Sequence, residues 1–187
     1  MYAGTPPWDI GRPQPAFLRL ATAGQIRGRV LDVGCGTGEH ALMAAGLGLD
    51  ATGVDTAPTA IETAKAKARE RGLSTRFLVW NALELGGLGE TFDTVLDSGL
   101  FHVFDDDSRV RYVESLETVS QPGSRYFLLC FSELQPGELG PRRVSEAEIR
   151  ASFARGWRID SLERTTLETI SDSIPIQAWL GALTRVR

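Results

Sequence analysis

The chain has little of the chemistry that marks a metal site or a disulfide scaffold: two cysteines and two histidines in 187 residues. Cys35 and Cys130 each sit in a short apolar run and read as small buried thiols. With only His40 and His102 beside them, no zinc-ligand spacing forms, so neither a metal nor a disulfide framework is expected. Positive charge is not in excess either. Lys and Arg number 20 against 24 Asp and Glu, a net charge of −4, which offers no broad attraction to phosphate backbones and argues against a nucleic-acid partner. Long apolar segments are absent. The longest unbroken run, Tyr126 to Phe131, is far short of the ~20 residues of a membrane span. No basic-then-apolar signal pattern opens the chain, so a cytoplasmic protein without a membrane partner is expected. Repeats and low-complexity tracts are also missing. A composition of 42% apolar and 24% charged residues suits one globular domain over residues 1–187, and oligomeric state is not legible.

What is present alternates. Short runs rich in Val, Leu and Phe predict strands at Arg29 to Val33, Asp50 to Val54, Thr75 to Trp80, Phe92 to Leu96 and Arg125 to Phe131, separated by helical stretches. That alternation indicates an α/β fold with a mostly parallel sheet covered on both faces. Thr56 is expected to cap one helix, with Pro58 in its first turn, Ile61, Ala64 and Ala68 inward, and Gly72 at its end. Another helix should start among Asp106, Asp107 and Ser108, bury Val110, Val113 and Leu116, and stop at Pro122-Gly123. Ser145 to Glu148 fits a capping box, with Ile149 and Phe153 inward. Trp157 to Thr169 and Ile174 to Val186 both read as extended and should pair as an antiparallel C-terminal hairpin.

The stretch VLDVGCGTGEHAL, Val30 to Leu42, runs from a buried strand through a glycine turn into a helix. Gly34, Gly36 and Gly38 can take positive φ and let backbone approach a ligand, beside the free N–H groups of a helix start. A nicotinamide dinucleotide oxidoreductase would carry a third glycine where Glu39 stands. An acid there is a poor neighbour for a pyrophosphate, though acceptable near an ammonium. Asp55 lies where such folds place an acid against ribose hydroxyls. Asp32 could receive a ligand ammonium or brace the glycine turn.

These residues resemble the Rossmann-like (class I) S-adenosylmethionine-dependent methyltransferases, with VLDVGCGTGEH matching the first motif and GVD the second-strand acid. The resemblance implies a doubly wound seven-stranded sheet whose last strand is inserted antiparallel. It also implies S-adenosylmethionine as cofactor, leaving S-adenosylhomocysteine. Its contacts are then expected from Gly34, Cys35, Gly36, Gly38, Asp55 and Thr56, with Asn81 and Ala82 at the adenine. Asn81 departs from an Asp common in the family, yet its carbonyl oxygen can still accept from an exocyclic amine. The segment PPWDIGRPQP resembles the N-terminal P-W-D-x-G-x-x-x-P of methyltransferases acting on thiols, thiocyanate and halides, and of bacterial enzymes methylating hydroxyquinolones. Trp8 is carried over as a cofactor contact on a strap or lid, residues 1–15. Asp9 and Arg12 could form a local ion pair or touch a ligand, and Gln14 is open in the same way.

The fourth strand leads into DSGLFHVFDD, which sets Asp97 and Ser98 among the expected cofactor contacts and His102 near the acceptor. His102 is the candidate base, with an unperturbed pKa near ~6.5, or else a packed histidine. Phe101, Phe104, Glu133 and the loop from Phe131 to Arg143 are the expected acceptor-pocket walls. His40 and Glu39 read as surface or cofactor-edge residues. The expected activity is methyl transfer to a small-molecule O, S or N nucleophile of aromatic or heterocyclic character. The alternatives are the nicotinamide enzyme and a cofactor-binding protein without catalysis.

Overall fold

In the computed structural model, residues 6–137, 140–170 and 176–187 are described. The first five strap residues, Glu138 and Leu139 of the pocket loop, and the expected strand start at Ile174 lie outside them. Seven strands form one sheet: β1 Arg29–Val33, β2 Asp50–Asp55, β3 Arg76–Val79, β4 Phe92–Ser98, β5 Ser120–Phe131, β6 Trp157–Leu167 and β7 Ile176–Arg185, in the order β3-β2-β1-β4-β5-β7-β6. The first five strands run parallel, whereas β7 pairs antiparallel with both β5 and β6. The doubly wound sheet with its C-terminal antiparallel hairpin is therefore present as expected.

Five helices cover the sheet: α1 Pro15–Thr22, α2 Glu39–Gly46, α3 Pro58–Glu70, α4 Asp106–Thr118 and α5 Glu146–Ser152. Short 3-10 segments occupy Ala82–Leu88 and Phe101–Val103. Helix α1 has no counterpart among the sequence expectations. Pro15 in its first turn and the spacing of Ala16, Phe17 and Leu20, all buried, are the signals that identify it. Along β5 the side chains alternate between two cores. Tyr126, Leu128 and Cys130 pack with Tyr112, Leu116, Ile149 and Phe153, while Phe127, Leu129 and Phe131 pack with Ala16, Phe17 and Leu20. Burial on both faces explains why this strand is apolar at every position from Tyr126 to Phe131.

Three local expectations are corrected. Helix α3 has Ala57 at its N-cap with no side-chain cap, because the Asp55 carboxylate, not Thr56, accepts the Ala57 N–H at 2.8 Å. On α4 Val110 is exposed; the buried stripe is Arg109, Tyr112, Val113 and Leu116, a rotation set by Tyr112 reaching into the sheet. The same helix ends at Thr118, and β5 begins at Ser120 with Pro122-Gly123 inside it. Register shifts there, with Phe92 opposite Ser120 and Thr94 opposite Arg125. The Ser124 hydroxyl closes the excursion by accepting from Gln121 N and donating to Phe92 O. The capping box at Ser145 and Glu148 forms as the sequence suggests.

Asp97, at the end of β4, ties this half together. One carboxylate oxygen accepts from the amides of Leu100 and Phe101, the other from the hydroxyls of Tyr112 on α4 and Tyr126 on β5, both at 2.8 Å. Hydrogen bonds to a buried charge are worth roughly 1.5–3 kcal/mol each. Tyr112→Phe and Tyr126→Phe are each expected to lower unfolding free energy by about 1–3 kcal/mol in urea titrations. A loss under about 0.5 kcal/mol for both would show that the two hydroxyls do not carry this joint.

Candidate active site

The glycine turn after β1 has φ of +68° at Gly34, +52° at Gly36 and +89° at Gly38. Space also requires glycine. A Cβ at Gly38 would lie 2.7 Å from the Phe77 ring, and one at Gly34 would lie 3.1 Å from the Leu100 side chain. The turn is held from below, with Cys35 N donating to Val54 O and Gly38 N to Cys35 O. Cys35 itself is a buried thiol facing the Phe77 side of the loop.

Three carboxylates stand at the carboxyl ends of adjacent strands: Asp55 on β2, Asp32 on β1 and Asp97 on β4. Asp55 accepts from Gly36 N at 2.9 Å and from Ala57 N, so its two oxygens keep further acceptor positions for a ligand. Asp32 accepts from Ala41 N at 3.0 Å, bracing the start of α2. Its other oxygen has no hydrogen bond among the described residues. Burial raises the Asp32 carboxyl to about 7, with the charges of Asp97 and Asp55 adding to the rise. Asp97 is raised to about 6, again by burial, against the opposing pull of its tyrosine and amide donors. All four of its hydrogen bonds come from protein groups, so it can meet a ligand only by giving one up. Ser98 is the partly exposed last residue of β4. Asn81 accepts from Leu83 N and starts the 3-10 segment, with Ala82 buried beneath it. Thr56 lies exposed after β2.

The strap crosses this edge through contacts that are long in sequence. Asp9 accepts from the Thr37 hydroxyl of the glycine turn at 2.9 Å, and Pro7 O accepts from Ile170 N at 2.8 Å. Gln14 pairs through both ends of its amide with the backbone of Glu168, at 2.9 Å each, while Arg12 pairs with the Glu168 carboxylate. Asp9 and Arg12 thus pin separate ends of the strap and form no local ion pair. Trp8, 49% exposed, rides on it beside the turn. His40 is not a surface residue: it is buried against Phe17 and accepts Gln14 N at its Nε2, and burial holds its pKa down at about 4. Glu39 also turns inward. It is paired with Lys67 and Arg71 of α3; burial opposes its ionisation, but the Arg71 and Lys67 hydrogen bonds prevail and its pKa is lowered.

Of the two sequence readings of His102, the structure takes the packed histidine. The ring is buried, and its Nδ1 accepts the Phe131 N–H at 3.1 Å, locking the 3-10 turn to the end of β5. Burial lowers its pKa to about 4. A neutral imidazole that accepts at Nδ1 carries its proton on Nε2. His102 lines a cavity of about 500 Å³ with Val103, Phe104, Asp105, Pro141 and Arg142. Phe101 is not on that wall: it is fully buried, stacked on Phe153 with the Arg109 guanidinium over its ring. Glu133 is likewise engaged elsewhere, accepting from Trp179 Nε1 at 2.7 Å and from Glu146 N. Thr37, Glu168 and Arg142 are the contacts that sequence reasoning did not single out; nothing local in the chain pairs residue 14 with residue 168.

The arrangement fits a nucleoside ligand bearing a cation. It offers a cradle that a Cβ would fill, acceptor positions on Asp55 and a buried Asp32 carboxyl whose ionisation a nearby cation would restore. Residues 30–123 match the family model of the methyltransferase domain. Over 173 residues the chain is 39% identical to the 2-heptyl-1-hydroxyquinolin-4(1H)-one methyltransferase of Mycobacteroides abscessus, covering 91% of this chain and 76% of that protein. It is 29% identical to the probable thiol methyltransferase 2 of Arabidopsis thaliana, covering 78% of this chain and 66% of that one. A solved structure from work on conversion of a disulfide bond into a thioacetal group during echinomycin biosynthesis superposes with a TM-score of 0.89 at 41% identity, over 97% of this chain and 85% of that one.

Two outcomes follow from the site's electrostatics and from the strap. With its folded pKa at about 7, above the ordinary carboxyl value, Asp32 favours the native state fully at low pH, and that contribution is lost as pH rises through 7. Asp32→Asn is therefore expected to melt above the wild type without ligand, by a margin that grows from pH 4 toward 7 and then levels off in thermal scans. A margin independent of pH would contradict the buried carboxyl. Deleting residues 1–14 should weaken S-adenosylhomocysteine binding in calorimetry by roughly tenfold; equal affinity would show that the strap does not cover the cofactor.

Proposed function

This chain belongs to the class I S-adenosylmethionine-dependent methyltransferases, and we propose that its acceptor is a small aromatic or heterocyclic molecule methylated on oxygen or sulfur. The observation that carries the acceptor reading is the cavity of about 500 Å³ at the sheet's carboxyl edge, walled by Phe104 and His102 and of a size for one small ring system. The hydroxyquinolone named for one relative is a hydroxylated heterocycle, and the other relative is named for a thiol acceptor, which supports oxygen or sulfur as the methylated atom. We read residues 1–187 as one domain acting in the cytoplasm. The net charge of −4 offers no broad electrostatic attraction to nucleic acid.

The residues divide the work. The turn at Gly34, Gly36 and Gly38 would hold the amino-acid portion of the cofactor, Asp32 its ammonium, Asp55 the ribose hydroxyls, and Asn81 with Ala82 the adenine. Bound S-adenosylmethionine supplies a methyl group already activated on a sulfonium. What remains for the protein is placement of the acceptor in line with that methyl and exclusion of water. Trp8 is suited to the second task, since an aromatic face beside a sulfonium contributes about 0.5–2 kcal/mol. The strap's anchors on Thr37 and Glu168 support its position there. Glu39, paired with α3, leaves the mouth of the turn without the acid that a sequence reading would place there.

The test is transfer of labelled methyl from S-adenosylmethionine to two acceptor sets, hydroxylated heterocycles and phenols in one, thiols, thiocyanate and iodide in the other. Turnover in either set identifies the acceptor atom. S-adenosylhomocysteine binding without turnover on any member would overturn the acceptor reading.

A further inference from the structure

We propose that His102 acts as a hydrogen-bond donor, through Nε2–H, to an acceptor that arrives already ionised, so that the favoured substrates are small aromatic molecules with an acidic hydroxyl or thiol. The inference rests on the methyltransferase reading above and narrows its substrate class.

The geometry fixes the proton. Phe131 N–H occupies the only lone pair of Nδ1, and that amide belongs to the end of β5, where it cannot turn away without breaking the strand. The T-shaped contact with the Phe131 ring, centroids 4.9 Å apart, holds the imidazole plane as well. The opposite edge lies beside Gly99, just past β4: a Cβ there would lie 3.4 Å from His102 Cε1 and 3.7 Å from Nε2, ordinary van der Waals contact. Nε2 has no hydrogen-bond partner among the described residues, and the ring lines the acceptor cavity. A ring in this state offers the cavity an N–H and no lone pair.

The surrounding charges leave the histidine neutral. Asp105 and Arg142 share its cavity, but Asp105 accepts Ser108 N at the start of α4 and Arg142 is paired with Asp106 and Glu148. From β5, Cys130 is a buried thiol, and the nearby Glu133 is bonded to Trp179 and Glu146. Asp97 is bonded to two tyrosines and two amides, and Arg109 lies over Phe101 with Glu148 3.3 Å away. Among the described residues no carboxylate is paired with Nε2 to stabilise an imidazolium. Burial acts in the same direction, holding the pKa near 4.

The step then balances without a base. A lone pair of the ionised oxygen or sulfur forms the bond to the methyl carbon as the carbon–sulfur bond breaks, its electron pair stays on sulfur as a neutral thioether, and no proton has to be placed. Nε2–H fixes the direction of that lone pair. It also lowers the acceptor's pKa on binding, because a donor stabilises the charged form.

The experiment combines a rate series with a direct view of the ring. For acceptors of graded acidity, kcat/KM should rise with pH to a plateau whose midpoint moves with each acceptor's own pKa. His102→Gln, whose side-chain amide can present N–H near the same place, should stay within roughly tenfold of wild type, while His102→Leu should lose roughly a hundredfold, with S-adenosylhomocysteine affinity unchanged in both. Long-range proton–nitrogen NMR of the free enzyme should show the Nε2–H tautomer from pH 5.5 to 8. A midpoint that stays fixed across the series and disappears in His102→Gln, or a ring that titrates near 6.5, would overturn the proposal and restore a base. No turnover on any acceptor while the NMR shows the Nε2–H tautomer would instead locate the failure in the acceptor reading, and the proposal would fall with it.

Discussion

The burial of carboxylates along one edge of the sheet is the constraint on which the rest of this molecule depends. Parallel strands deliver Asp55, Asp32 and Asp97 side by side, and the two buried ones, Asp32 and Asp97, must be satisfied without water. The three solutions differ. Asp97 takes four protein donors and becomes the joint between β4, α4 and β5. Asp55 spends part of its capacity on the glycine turn and on the entry to α3. Asp32 has one amide and is left short of donors, which is why burial lifts its pKa furthest. A cation bound against Asp32 would relieve that shortage, so the cost of burying this carboxyl would be offset on binding.

The strap belongs to the same edge. A Pro- and Gly-rich segment cannot form a helix and cannot bury much apolar surface, so it is held by polar side chains. Asp9 fastens one end to the glycine turn, and Arg12 and Gln14 fasten the other to Glu168, past the end of β6. The density of polar residues around Trp8 is the means by which a segment without regular structure is held at both ends. Its attachment to two elements far apart in the chain makes the strap sensitive to either of them.

Both histidines are used in an unusual way. His40 and His102 are buried, neutral acceptors of a backbone N–H, one from the strap and one from β5. Each satisfies an amide that no regular ladder could reach, and each is thereby committed to one tautomer. For His40 that commitment ends in packing. For His102 it leaves an N–H facing the acceptor cavity, which changes the chemistry this position can perform.

The sequence by itself determined everything that depends on near neighbours. Strand β1, the positive-φ glycines, the Ser145 capping box and the apolar run Tyr126 to Phe131 of β5 all follow from residues within a few positions of one another, where steric limits and periodicity act directly. The membership of Asp32 and Asp55 in one cleft was legible through the strand–turn–helix–strand pattern, which sets the ends of β1 and β2 side by side. Only the tertiary structure decided what Glu39, Phe101, Glu133 and His102 do, because in each case a competing partner comes from another element: α3 for Glu39, Phe153 for Phe101, Trp179 for Glu133, β5 for His102. A histidine's pKa and tautomer are set by burial and by the donor that faces it, and neither is written next to it in the chain.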